Sequence, residues 1–487
     1  MISKPVRRLL PIALALLAFA GACSTGRSQG DLSHAIGFWQ GTPPSQVEAG
    51  WALVFEIVEV GPSRLAGRGY WYREGRMNAD FPLDEVAYRE SDHSLHVRYS
   101  RVVFDASVDP TDAIAAGTYS YPGGSEDLTM TRVPESSVPG LYPRTATADE
   151  TYTYEYHPPE DAGYGWAVAS LDEVGIDRPT MVTLVEKIIA REFGYIHSLL
   201  IVRHGKLALE EYFYGYDREA LQPIQSCTKS VASLLIGIAI DRGEIASVDE
   251  EIYSFFPEYA RFETHGWENV ELKHILSMTA GLDWPRDWAA WFYTSGDYFG
   301  EVLKRPVIHT PGTVFDYMSP IATLLAGVIK HATTVQADVF AERRLFRPLQ
   351  ITEYDWNEGR QNGYPRTDGT LKLRSRDMAK IGALVLGGGE WKGVRIVSEE
   401  WIEESTTPHA TDEEHEGYGY AWWSAEREFD GRTIRAIFAR GQGDQFIIVF
   451  PELDLVVVTT GRNMTEEHRW ATREIVEEYV LPAVRME

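Results

Sequence analysis

Ser226 and Lys229 stand three residues apart in Ser226-Cys227-Thr228-Lys229, at the head of an apolar run that continues to Ile240. On a helix that spacing puts both side chains on one face about one turn apart, so the lysine amine can reach the serine hydroxyl. A serine hydroxyl is a weak nucleophile. A lysine whose pKa is lowered by burial can take its proton, which makes the pair an acyl-transfer nucleophile and its base. A helix N-terminus at this point adds partial positive charge and unpaired amides where an oxyanion would develop. Taken alone, the same four residues also describe an N-cap serine followed by a solvated lysine.

The surrounding sequence supplies the elements that would hold such a pair. Ser198–Arg203 and Lys206–Phe213 flank His204-Gly205, a hairpin signal. A helical pattern covers Thr180–Glu192, and the Ser226–Arg242 helix ends at Gly243, where a left-handed cap is expected. Strands at Ile434–Phe438, Phe446–Phe450 and Leu455–Thr460 complete an α/β domain over residues 165–487, a sheet with helices on its faces. Before it, short β-branched and aromatic runs such as Trp51–Val58, Leu65–Tyr72, Leu95–Phe104 and Leu128–Val133 predict a small all-β, barrel-like domain over 34–134. Such a barrel either holds an apolar ligand, as lipocalin-like modules do, or is filled by its own side chains. Pro134, Pro139, Pro143, Pro158 and Pro159 punctuate 135–164, which reads as a linker.

Bulk composition narrows the partners. A formal charge of −26 without a clustered Lys/Arg run excludes nucleic acid. Lys4, Arg7 and Arg8 followed by apolar Leu9–Ala22 read as an export signal over residues 1–22. Ala20-Gly21-Ala22-Cys23 resembles the lipobox of bacterial lipoproteins, which implies a lipid on Cys23 and a tether over 23–33. The expected location is then the periplasmic face of the bacterial cell envelope, with the membrane reached through the anchor. The two cysteines are Cys23 and Cys227, so a lipidated Cys23 leaves no disulfide.

Further along, the Ser226–Lys229 segment gains company. It resembles the SxxK motif of the β-lactamase-like serine hydrolases, and the resemblance runs through most of 165–487, which implies an α/β fold with an antiparallel sheet flanked by helices and a helical subdomain. His274-Ile275-Leu276-Ser277-Met278-Thr279-Ala280-Gly281-Leu282 is similar to the LLSMTSGL segment of class C-type enzymes. Pro311-Gly312-Thr313-Val314-Phe315-Asp316-Tyr317-Met318-Ser319 is similar to PGxxFxYSN, whose tyrosine is catalytic, so the resemblance implies a proton-relaying role for Tyr317. Arg374–Gly382, Gly387-Gly388-Gly389 and Val397–Trp401 resemble a downstream block.

Where β-lactamases carry Lys or His, then Thr or Ser, then Gly, this chain has Ala439-Arg440-Gly441-Gln442-Gly443. That form, with Tyr317-Met318-Ser319, is similar to the 6-aminohexanoate-dimer hydrolase branch and its carboxylesterase relatives. The resemblance implies an oxyanion hole from the amides of Ser226 and Gln442, with Gly441, Arg440 and Ser319 beside the substrate. Arg440 either replaces the lost cation or points into solvent.

The resemblance therefore implies a cofactor-free and metal-free serine hydrolase acting on small esters or amides. A β-lactamase or DD-peptidase is the enzymatic alternative, and a catalytically idle lipophilic-ligand-binding lipoprotein is the other. Gly26-Arg27-Ser28-Gln29-Gly30 matches a nucleophile elbow in letters alone, since it lies in the tether without the required strand and helix. Cys227 reads as a structural thiol. His409 and His415 lack the paired spacing of a zinc site. Trp284, Trp288 and Trp291 either line the cleft or fill the core.

Overall fold

The computed structural model describes residues 31–486 except 48–49, 62, 74–75, 112, 139, 146, 148–149, 162, 164, 286, 289–291, 414–415 and 465–467. The export stretch 1–22, Cys23 and the Gly26–Gly30 pattern lie outside the described residues. No helix among the described residues is long and apolar enough to cross a membrane. The chain forms two compact units, one up to Thr153 together with Phe213–Tyr216, the other from Tyr154 to Tyr212 and from Asp217 onward.

In the first unit nine strands form one sheet: β1 (Gly37–Gly41), β2 (Trp51–Gly61), β3 (Arg64–Arg73), β4 (Arg76–Pro82), β5 (Glu85–Arg89), β6 (Ser94–Tyr99), β7 (Val102–Asp109), β8 (Ile114–Tyr121) and β9 (Gly124–Val133). Their order is β4-β3-β2-β1-β9-β8-β7-β6-β5, antiparallel throughout, so β1 is inserted between β2 and β9. Curling brings β3 against β5. Period-two alternation turns Leu53, Phe55 and Ile57 inward, where they pack with Trp39, Phe104 and Met130. These and the other buried side chains of the sheet's inner face form the unit's hydrophobic core.

The boundary between the units falls inside the expected 135–164 linker, after Thr153, and each side of it is packed onto its own unit. Buried Leu141 and Tyr142 belong to the first unit, and Pro143 O accepts Tyr214 N at 3.0 Å. The strand read as ending at Phe213 stops at Tyr212, and the Arg144 guanidinium lies 5.0 Å from the Phe213 ring. Residues from Tyr154 onward join the second unit, with Tyr154 Oη on Glu211 at 2.7 Å and Tyr156 Oη on Ala208 O at 2.9 Å. Prolines suppress helical or strand periodicity, but tyrosines anchor the chain through ring burial and one hydroxyl each.

The second unit is built on a nine-stranded sheet in the order 167–168, 206–212, 196–203, 455–461, 445–450, 432–441, 423–429, 417–418 and 410–411. All neighbours are antiparallel except the short first pair. Strands 196–203, 445–450 and 455–461 are buried at every position, as central strands covered on both faces must be. One face receives the Ser375–Leu386 helix, whose Gly382 lies against Ile447 and Val456. The opposite face carries Phe446, Ile448 and Phe450 toward Trp470 and Val476. The Cys227–Asp241 helix is buried from Cys227 to Ala239, and Gly237 lets Trp401 approach: a Cβ there would sit 2.2 Å from that indole. Gly243 caps it at φ 70°.

The Arg374–Gly382 block is a buried ionic cluster. Asp377 accepts from Arg374 Nε at 2.8 Å and Lys380 Nζ at 2.9 Å, with the three side chains at 0–3% exposure. Asp377→Ala would leave buried Lys380 without a carboxylate, though still on the Gln350 carbonyl at 2.8 Å, and would weaken the hold on Arg374, which keeps Glu219 at 3.2 Å, so it should lower stability by about 3 kcal/mol. A urea-unfolding midpoint measured on the full chain checks this.

Candidate active site

The backbone delivers Ser226 through a tight turn. Ile224 N donates to Leu371 O at 3.0 Å, Cys227 N returns to Ile224 O at 3.1 Å, and between them Gln225 adopts φ 48°. For such a side chain the left-handed region costs roughly 1–2 kcal/mol, strain of the kind that collects at functional sites. Ser226 stands at the N-cap of the Cys227–Asp241 helix, yet its side chain caps nothing. Its Oγ instead meets Lys229 Nζ at 2.9 Å. The N-cap alternative therefore fails on both residues, since Lys229 is 1% exposed.

Lys229 has three acceptors around Nζ: Ser226 Oγ, Ser319 Oγ at 3.2 Å and the Asp368 carbonyl at 2.5 Å. An ammonium donates to all three. A neutral amine has two N–H donors and one lone pair, and a carbonyl can only accept. With N–H groups on Asp368 O and Ser319, the lone pair is left for the Ser226 hydroxyl.

Tyr317, the residue expected to relay the proton, stands beside the same amine with its ring. Lys229 Nζ lies 5.3 Å from the Tyr317 ring centroid, while its three close polar contacts are Ser226, Ser319 and Asp368. Tyr317 packs at 5.9 Å against Tyr418 and at 5.6 Å against Trp423. Burial first, and Tyr317 second, push the Tyr418 phenol well up, so Tyr418 stays protonated.

Gly441 ends the 432–441 strand beside the nucleophile turn. A Cβ there would meet Ile224 O at 2.5 Å and Gln225 Cβ at 3.0 Å, so only glycine permits this approach. Exposed Gln442 follows directly. The turn after it is braced by buried Asp444, whose carboxylate accepts Asn463 Nδ2 at 2.8 Å and Thr472 N at 2.9 Å.

Arg440 corrects both readings made of it. Strand alternation turns Ala439 and Gly441 toward the nucleophile side and Arg440 to the other face, with Ala436 and Phe438. There Arg440 Nη1 donates to Glu416 at 2.7 Å and its guanidinium stacks 3.9 Å from Trp423. Buried Glu416 also takes Arg427 and Arg473. The Arg440 charge is neither solvated nor free for a substrate.

Sequence reasoning missed Asp368 and its neighbours. Its carboxylate is held by Arg366, at 3.0 and 2.7 Å, and by Tyr293 Oη at 3.0 Å. Burial, then the Asp368 carboxylate, pushes the Tyr293 phenol up, which keeps it a donor. The only residue-level signal was the turn-rich run Asn362–Thr370, because a main-chain carbonyl leaves no mark in residue type.

Tyr293 belongs to an aromatic group with Trp288, Phe292 and Tyr298, and buried Trp284 packs on Phe292 at 5.9 Å. Trp291 and His415 lie outside the described residues. His409 stacks on Tyr420 at 4.1 Å. Cys227 is fully buried, donates to Gln445 O at 3.4 Å, and has its thiol pushed up by burial, so it offers no thiolate.

Comparison with known proteins places the chain in a family. Residues 196–477 match the Beta-lactamase family, which spans more than half of the chain, and the chain belongs to that family. It is 22% identical over 364 residues to the 6-aminohexanoate-dimer hydrolase of Paenarthrobacter ureafaciens, covering 66% of this chain and 90% of that one. In fold it is similar to a D-stereospecific amidohydrolase from Streptomyces sp. (TM-score 0.50, 14% identity, 62% of this chain and 98% of that one). A family VIII carboxylesterase is similar in fold as well (TM-score 0.50, 15% identity, 64% of this chain and 98% of that one).

Proposed function

We propose that the chain hydrolyses small esters or amides through an acyl-enzyme on Ser226. The observation that carries this reading is the buried Lys229 amine, 2.9 Å from Ser226 Oγ, with its other contacts committed to Ser319 and Asp368. In the neutral form Lys229 takes the Ser226 proton as Oγ attacks the substrate carbonyl. The amides of Ser226 and Gln442 receive the oxyanion, and Lys229 with Tyr317 returns the proton to the leaving group. Water then attacks the acyl carbonyl with the same groups in reversed roles, releasing the acid and free Ser226. The 6-aminohexanoate-dimer hydrolase named above supports a small-molecule substrate.

The commitment of Arg440 to Glu416 favours this reading over a β-lactamase or DD-peptidase, because Ala439 offers no cation to a substrate carboxylate. Losing one charged hydrogen bond is worth about 10- to 100-fold. A cephalosporin should therefore show kcat/KM below that of a short activated ester by at least that margin, measured on one preparation. Cephalosporin turnover equal to the ester's would overturn the assignment.

Export and lipid anchoring form the remaining part of the proposal, resting on Lys4, Arg7, Arg8 and Ala20-Gly21-Ala22-Cys23. Cys23→Ser should convert a detergent-extracted membrane protein into a soluble or unprocessed one. Unchanged fractionation and processing would contradict it.

A further inference from the structure

The run Arg366–Leu371 is tied to each part of the site. Thr367 Oγ1 donates to Ala322 O at 2.6 Å, inside the turn that begins at Ser319. Asp368 O takes Lys229 Nζ. A Cβ on Gly369 would lie 3.7 Å from the Gln225 carbonyl carbon and 4.0 Å from Ser226 N. Leu371 N donates to Thr228 Oγ1 at 3.3 Å, and its carbonyl receives Ile224 N.

Within this run Asp368 is 2% exposed. A buried carboxylate is costly unless its oxygens are paired. Here Oδ1 accepts Arg366 Nε, and Oδ2 accepts both Arg366 Nη2 and Tyr293 Oη. Arg366 is itself fixed, with its guanidinium 3.9 Å from the Tyr293 ring and its carbonyl receiving Trp356 Nε1 at 2.8 Å. The side chain and the carbonyl of one residue are thus held in a single orientation.

Orientation matters because the amine is a rotor. A third of a turn about Cε–Nζ would swap its lone pair for an N–H and leave Ser226 without a base. We infer that Asp368 is a positioning residue for the reaction proposed above: Arg366 and Tyr293 lock its carboxylate, its carbonyl then fixes one N–H of Lys229, and the amine lone pair stays on Ser226. Because Tyr293 meets Trp288 and Phe292 edge to face, the same lock joins the base to the aromatic group beside it.

The test uses the full chain with Asp368→Asn and Tyr293→Phe. The second deletes one hydroxyl and keeps the ring on Arg366, so it answers the question even if the first does not fold. Displacing a catalytic group costs on the order of 10²-fold, so kcat on a short activated ester should fall by about that factor in Asp368→Asn and by about 10-fold in Tyr293→Phe. KM should stay within about threefold, since neither change removes substrate binding. The deficit should shrink as pH rises, because hydroxide replaces a misdirected amine in deprotonating Ser226. The ionisable groups facing Lys229 are Tyr317, Cys227 and Asp368, and those facing Asp368 are Arg366, Tyr293 and Tyr298. Wild-type kcat in Tyr293→Phe, or a loss in the same ratio at every pH that follows the folded fraction, would overturn the inference. A wild-type chain whose Ser226 takes no fluorophosphonate would instead remove the hydrolase reading beneath it.

Discussion

Ser226→Ala is expected to abolish turnover of a short activated ester, a loss on the order of 10⁶ in kcat, as when the nucleophile is removed from other serine hydrolases. The loss should be chemical rather than structural. Ser226 Oγ caps no backbone amide of its helix, and the turn that places it is held by Ile224, Gln225 and Leu371 main-chain atoms that alanine retains. Circular dichroism and thermal unfolding should therefore match the parent while kcat vanishes. Cys227→Ala is the matched control one residue away. Its thiol is buried and protonated, so most activity should remain. Retained esterase activity in Ser226→Ala would remove the nucleophile assignment outright.

Lys229→Ala should lower kcat by roughly 10² to 10⁴, the range for deleting a positioned acid–base group. Water would then fill the space between Ser226, Ser319 and the Asp368 carbonyl, and water is a far weaker base than a neutral amine. Because Lys229 touches the nucleophile rather than a binding surface, KM should move much less than kcat. Steady-state kinetics on the same ester reads both. A Lys229→Ala enzyme that loses KM alone would make this residue a substrate ligand instead of the base.

How far the sequence reached depended on how local each signal was. The Ser226–Lys229 pair was legible because helical spacing alone brings the two side chains together, and strands 445–450 and 455–461 were legible as short runs rich in apolar and β-branched residues. Gly243 and the His204-Gly205 hairpin carried their own backbone conformations. Arg440 was illegible because its fate is set by Glu416, 24 residues earlier in sequence, and by the face its strand turns outward. Asp368 was illegible for a different reason. It acts on Lys229 through a main-chain carbonyl common to every residue, and its side-chain partner Tyr293 lies 75 positions away. Within 135–164, where the prolines marked a linker and the unit boundary falls after Thr153, the tyrosines that anchor either side signal only in three dimensions.

The most direct test of the central claim is intact and peptide mass after exposure to a fluorophosphonate. One adduct per chain is predicted, on the peptide bearing Ser226, absent from Ser226→Ala and markedly slowed in Lys229→Ala. An unmodified wild-type chain, or an adduct that persists at full rate in Ser226→Ala, would contradict the account.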